Sequence, residues 1–169
     1  SRCSVLPFAV AVEFIHTYTL IHDDLPALDD DNFRRGKPTN HKVFGEAIAI
    51  LAGDALLTQA FIVMSDIESS SSIPEKEILR ASHEVASAIG STGVIGGQVV
   101  DLESEKKAVD AEVLEYIHVY KTGFLIRACI RCGAILSQAE SSQLGALSRY
   151  GENIGLAFQI ADDAMDYYS

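Results

Sequence analysis

The chain has 169 residues and a mass of 18.3 kDa, and 48% of its residues are hydrophobic with no tryptophan, which is enough for one aliphatic core and too apolar for a disordered chain. Its 24 acidic residues against 13 lysines and arginines give a net charge of −11 and a pI near 4.7, so nucleic acid, whose phosphates need a basic face, is excluded as a partner. The uncharged run from Ala86 to Val100 is short for a bilayer span and diluted by glycine, serine and threonine, and SRCSVLPFAVAVEF lacks the charged lead and cleavage site of a secretory signal. No stable membrane insertion and a cytoplasmic location are therefore expected.

Strand signals are scarce and helical spacing recurs, so the expected fold is all-α, in one domain spanning residues 1–169 without repeats. A first helix is predicted from about Val5 to Asp24, ending there because Pro26 biases Leu25 away from helical geometry. The segment that follows, HDDLPALDDDNFRRGKPTNH, crowds five aspartates beside Arg34, Arg35 and Lys37. A turn at Pro26 would bring Asp29 back toward Asp23 and Asp24, since an unbroken helix would carry it about 120° further round the axis. A second helix, from about Phe44 to Ile67, is apolar almost all round and is expected to be buried. Ser69 to Ser72 reads as a loop, and Ser72-x-x-Glu75 resembles a capping box opening a third helix. A glycine-rich stretch from Gly90 to Ser104 interrupts the pattern, where glycines permit a kink or a close backbone approach. Helical segments follow from about Ala111 to Ala139, broken at Lys121-Thr122-Gly123, and from Ser141 to the end. Cys3, Cys129 and Cys132 cannot form a disulfide framework, and the C-x-x-C pair has no second pair to complete a zinc site, so they are read as small buried helix residues.

On a helical wheel, Ile154, Phe158, Ala161 and Met165 form one stripe, and Gln159, Asp162, Asp163 and Asp166 form another. Like charges at i,i+3 and i,i+4 cost about 0.2–0.5 kcal/mol per pair, so a cation should offset them. An oxygen-only donor set favours a hard cation, and magnesium, which keeps waters and shares phosphate oxygens, suits an open carboxylate face. The alternative is a solvated acidic helix end. A second acid cluster, Asp23 and Asp24 at the helix end with Asp29, Asp30 and Asp31 after the proline turn, weighs against that alternative, and His16, two turns before Asp23 on the same face, is either a phosphate ligand or a satisfied core or surface histidine. Arg34 and Arg35 can hold phosphate oxygens bidentately or pair with Asp30 and Asp31. Lys121 and Thr122 offer a point charge and a hydroxyl at a glycine break.

DDLPALD followed by RRGKPT, then GDALL, GGQVVDL, KTG and finally FQIADDAMD, in this order along essentially the whole chain, resembles the trans-isoprenyl diphosphate synthases, and most of all their farnesyl-producing bacterial members. The resemblance implies an isoprenoid synthase type helical bundle around a central apolar cavity, acting as a homodimer. It implies that Asp23, Asp24 and Asp29 hold magnesium on one side of an allylic diphosphate and Asp162, Asp163 and Asp166 hold it from a facing helix, with on the order of three ions in the substrate complex. Arg34, Lys121, Thr122 and Gln159 would contact the allylic diphosphate; His16 and Arg35 would serve isopentenyl diphosphate, with Phe158 walling that site and Gln98 and Asp101 in support. The implied reaction ionises the allylic diphosphate, joins the cation to isopentenyl diphosphate and eliminates a proton. Tyr18 and Thr19, just before the first motif, would bear on chain length, and the ring of Tyr18 favours a farnesyl product. GGQVVDLES and YIHVYKTG, however, are also similar to geranylgeranyl synthases. The family's upstream G-K-x-R segment and a lysine beyond the second motif are missing, so the sequence looks like a fragment incomplete at both ends, and reduced activity is expected of it. A class I terpene cyclase would mix Asn, Ser or Thr with Glu at its second metal site, and a non-catalytic partner subunit would lack one aspartate motif; this sequence keeps both motifs.

Overall fold

The computed structural model describes residues 2–104, 113, 116, 117 and 119–168, with the side chains of residues 2, 3, 121, 122, 162, 163 and 166–168 left out. It divides into two compact units, Ser1–Ser72 and Ile73–Ser169.

In the first unit, α1 (Arg2–Asp23) buries Phe8, Ala11, Ile15 and Tyr18, the three-four spacing that lines one side of a helix. It ends one residue before the predicted boundary. Asp24 N–H still reaches the Leu20 carbonyl at 3.2 Å, after which the Pro26 turn takes over. A hairpin follows, β1 (Phe33–Arg34) against β2 (Lys37–Pro38), with Arg35 at φ +54° and Gly36 at φ +75°. Two successive positive φ angles make the tight turn whose twist matches paired strands. These two short strands are a local exception to the helical fold read from the sequence, and they arise because RRGK places glycine at the second turn position.

The predicted second helix is α3 (Glu46–Met64), and a short unpredicted helix, α2 (Asn40–Phe44), precedes it, parted from it by Gly45 at φ +88°. Helix α3 packs on α1 through Ala49, Gly53, Ala60 and Met64. Its expected burial all round is corrected: Ile48, Leu51 and Ile62 are more than half exposed. An apolar circumference needs neighbours on every side, and the buried stripe of α3 is made mostly of small residues, Ala49, Gly53 and Ala60, that let one neighbour come close. The reading of the apolar stretches as too short for a bilayer span is corrected in a similar way. By length and composition alone, Ser4–Asp23, Glu46–Met64 and Glu75–Ser104 are each long and apolar enough to cross a bilayer, because isolated charges within a helix do not remove its mean hydropathy.

In the second unit, α4 (Glu75–Ile89) buries Ile78, Ala81, Val85 and Ala88. The expected capping box does not form. Pro74 occupies the cap position, two residues beyond Ser72, and the Ser72 hydroxyl bonds instead with that of Ser4 inside the first unit. The glycine-rich interruption is brief: turns at Gly90–Gly93 lead into α5 (Val94–Ser104). At Gly93 a Cβ would lie 1.9 Å from the Ala88 carbonyl, the close approach that glycine allows. A π-turn (Val119–Gly123) falls at the predicted Lys121-Thr122-Gly123 break and opens α6 (Phe124–Leu136), which lies against α4 and α7 (Ser141–Tyr168). Arg131 of α6 joins all three helices, reaching Glu84 Oε2 with Nη2 at 3.0 Å and donating from Nη1 to the Ser148 hydroxyl. Cys132 is buried and Cys129 half-buried, neither in a disulfide, and burial pushes the Cys132 thiol up to about 12. The side chain of Cys3 lies outside the described residues.

Among the described side chains of α7 the buried positions are Ser148, Gly151, Gly155 and Gln159, whereas Phe158 and Met165 of the apolar wheel stripe are 52% and 62% exposed. Backbone proximity explains the choice. A Cβ at Gly155 would meet Gly123 Cα at 2.8 Å, and one at Gly151 would meet Arg127 Cα at 2.9 Å. Gly155→Ala is therefore expected to destabilise the protein by about 1–3 kcal/mol in urea denaturation. Gly133→Ala, where a Cβ meets nothing within 4 Å, should be neutral or stabilising by up to about 1 kcal/mol.

Candidate active site

The first acid cluster is assembled by the turn that ends α1. Asp29 N–H donates to the Asp23 carbonyl at 2.9 Å, and Leu28 and Asp30 N–H groups both return to the Leu25 carbonyl, at 2.9 and 3.1 Å. The chain thus doubles back after Pro26 as the sequence predicts, and Asp29 rejoins the end of the helix. The Thr39 hydroxyl closes the far side of the loop by donating to the Asp31 carbonyl at 2.7 Å.

Inside this loop Asp24 is 4% exposed, and Arg34 clasps it with Nε at 2.7 Å and Nη2 at 2.6 Å, both to Oδ1. Nη2 also stands 3.5 Å from Asp31 Oδ2. The hydrogen bond to Asp24, with the charges of Asp24, Asp31 and Asp23 behind it, holds the Arg34 guanidinium above its ordinary pKa against the opposing effect of burial. Of the two sequence alternatives for Arg34, ion pairing is what the structure contains, although its main partner is Asp24. Asp30, at φ +50°, pairs instead with Lys42 at 3.6 Å. Among the described residues Arg34 Nη1 makes no contact that occupies it, and Arg35 stands exposed at the hairpin tip.

Ahead of the loop, Tyr18 is buried, and burial raises its hydroxyl pKa. Its ring meets His22 edge-on at 5.7 Å. His22 was not singled out from the sequence, yet it joins the first motif to GDALL: its Nε2 donates to the Ile50 carbonyl at 3.0 Å, and a Cβ at Gly53 would sit 2.0 Å from that nitrogen. The glycine of GDALL was the available signal, because a glycine in the middle of an apolar helix implies that something lies against it. His16 is half-buried, and the Thr19 hydroxyl is bonded to the His16 carbonyl at 2.8 Å within α1.

In the second unit, Gln159 is buried on the glycine stripe of α7, and the register of that stripe passes on through Asp162 and Asp166. Lys121 and Thr122 belong to the π-turn whose Gly123 abuts Gly155. The side chains of Lys121, Thr122, Asp162, Asp163 and Asp166 lie outside the described residues. Gln98 and Asp101, half-buried, are on α5, which packs against the π-turn.

Among the described residues no three His, Cys, Asp or Glu side chains are gathered closely enough to enclose a metal. What the first cluster offers is an open, oxygen-only set: Asp23 half-buried, Asp29 exposed, and Asp24 with one oxygen given to Arg34. That set fits magnesium carrying its own waters and phosphate oxygens, and does not fit a closed cage. Replacing Arg34 with leucine leaves a buried carboxylate unpaired. The expected loss is about 2–3 kcal/mol in chemical denaturation, below that for a fully buried pair because the Arg34 side chain is 31% exposed. Arg34→Lys should recover only part of it, since an ammonium cannot offer the two-nitrogen clasp.

The chain is 50% identical over 161 residues to a farnesyl diphosphate synthase of Geobacillus stearothermophilus, covering 95% of this chain and 54% of that protein. It is 48% identical over 165 residues to a geranylgeranyl diphosphate synthase of Cyanophora paradoxa, covering 97% and 54%. Among solved structures, an FPP/GFPP synthase from Zymomonas mobilis superposes with a TM-score of 0.93 at 40% identity, covering 99% of this chain and 60% of that one. The chain spans about half the length of the curated relatives it matches. The polyprenyl synthetase family model matches residues 2–169, from the start of α1 through both aspartate motifs, and the chain belongs to that family.

Proposed function

We propose that the protein containing this chain is a magnesium-dependent prenyltransferase that condenses isopentenyl diphosphate with dimethylallyl or geranyl diphosphate to form farnesyl diphosphate. The observation that carries the reading is the loop in which Asp29 returns to Asp23 while Arg34 neutralises the buried Asp24. That arrangement leaves carboxylate oxygens, an arginine Nη1 and the exposed Arg35 together at the end of one helix, a surface suited to a diphosphate with its counter-cations.

On this reading Asp23, Asp24 through its second oxygen, and Asp29 hold magnesium, as do Asp162, Asp163 and Asp166 of the second motif. Magnesium, when bound, supplies charge neutralisation for the departing diphosphate. Arg34, Lys121, Thr122 and Gln159 grip the allylic diphosphate, and their positive charge and hydrogen bonds strengthen as the C–O bond breaks and negative charge collects on the leaving oxygens. His16 and Arg35 orient isopentenyl diphosphate, with Phe158 beside it, so that its double bond meets the allylic cation. The new C–C bond leaves a tertiary cation, and loss of a proton to the released diphosphate restores the double bond. Apolar helices keep water from the cation meanwhile. The enzyme acts as a homodimer in the cytoplasm.

The farnesyl product is supported by Tyr18, whose buried ring occupies the α1 position five residues before Asp23. The names of the relatives, which include both farnesyl and geranylgeranyl synthases, support the second reading, a geranylgeranyl product. Incubating the full-length protein with magnesium, isopentenyl diphosphate and geranyl diphosphate should yield farnesyl diphosphate. Absence of any elongation would overturn the prenyltransferase reading, and a geranylgeranyl product from the wild type would overturn the role of Tyr18. Asp23→Ala and Asp163→Ala should each lower turnover by about 10²-fold or more with the melting temperature nearly unchanged. Tyr18→Ala should lengthen the product.

A further inference from the structure

Three aromatic rings run along one side of the backbone that enters and leaves the π-turn. Tyr116 stacks on Tyr120 with centroids 4.1 Å apart and planes at 16°, and Tyr120 stacks on Phe124 at 4.4 Å and 20°. The series continues into a cation: the Arg127 guanidinium lies 5.7 Å from the Phe124 centroid, and Arg127 Nε is 3.2 Å from Glu152 Oε1 on α7. Helix geometry explains why these rings meet face to face. In an unbroken α-helix a residue four positions on has overshot a full turn by about 40°. A π-turn, with its wider i to i+5 closure, takes more residues per turn and drifts the other way, so a path mixing the two brings positions 116, 120 and 124 into line. The stack and the Gly123–Gly155 contact both fall on the π-turn, a rare conformation.

Lys121 and Thr122 are inside that turn. If the turn annealed to regular α-helix, the tighter twist per residue would rotate their bearing relative to α6 by some tens of degrees, roughly 20° for each residue between them and Phe124. We propose that the Tyr116–Tyr120–Phe124 stack, with the Arg127 cation at its end, is the positioning element that holds the π-turn and thereby fixes the bearing of Lys121 and Thr122. The consequence for substrate rests on the proposed role of those two residues at the allylic diphosphate. Tyr120 and Phe124 are then positioning residues that act through the backbone.

The test uses the full-length protein with Tyr120→Leu and Phe124→Leu, which keep apolar bulk and lose the ring, and Tyr120→Phe, which keeps the ring. In the substrate-free protein, amide hydrogen exchange across residues 119–124 is expected to change in both leucine variants and to match the wild type in Tyr120→Phe. In steady-state kinetics the leucine variants should raise KM for geranyl diphosphate about tenfold while KM for isopentenyl diphosphate stays within about twofold, and Tyr120→Phe should behave as the wild type. Unchanged exchange in both leucine variants would show that the stack does not hold the turn. Altered exchange with both KM values unchanged, or raised equally in step with a lower melting temperature, would show that the turn does not aim Lys121 and Thr122. Were the wild type to elongate nothing, the prenyltransferase reading and the substrate consequence would fall together, and the exchange measurement alone would decide whether the stack holds the turn.

Discussion

The grip of Arg34 on Asp24 is the contact around which the first acid cluster is organised. A carboxylate at 4% exposure is tenable only with a close counter-charge, and the guanidinium supplies two nitrogens to a single oxygen. Because Asp24 belongs to the end of α1 and Arg34 to the first strand of the hairpin, the pair fixes where the hairpin tip stands relative to the helix end. The carbonyl of Asp23 can then receive Asp29, and the Thr39 hydroxyl can close the loop behind. One ion pair converts a run of mutually repelling aspartates into an ordered turn.

Close backbone approach plays the corresponding part elsewhere. Gly53 admits His22 against α3, and Gly155 admits Gly123 against α7. In each case the missing Cβ lies within or just before a motif that carries the family resemblance. The glycine does not touch any reacting group; it lets a second element come near enough to set the backbone of one. GDALL and the segment before FQIADD are packing devices that accompany the acid motifs.

The helical fold and most element boundaries were legible because hydrophobic spacing and proline or glycine breaks act locally: Pro26 ends α1, and Lys121-Thr122-Gly123 marks the π-turn. What escaped depends on partners distant in sequence or on backbone geometry. The pairing of Arg34 with Asp24 across ten residues could not be told from pairing with Asp30 or Asp31 without the hairpin, and the hairpin was missed because strands of two residues carry no alternation to detect. The burial of α3 was overstated because composition gives how apolar a face is and says nothing of what covers it. The role of His22 was invisible because histidine reveals its function only through what it faces.

Arg35 at the hairpin tip carries one more implication. A left-handed conformation costs a side chain with a Cβ about 1 kcal/mol or more, and Gly36 beside it shows what the turn would accept without cost. A chain selected for stability alone would place glycine or asparagine at both positions. A long cation there gives up conformational ease for a charge held out at the rim of an acidic loop, so this turn is where directed stabilisation of the protein would be most at odds with the role proposed for Arg35.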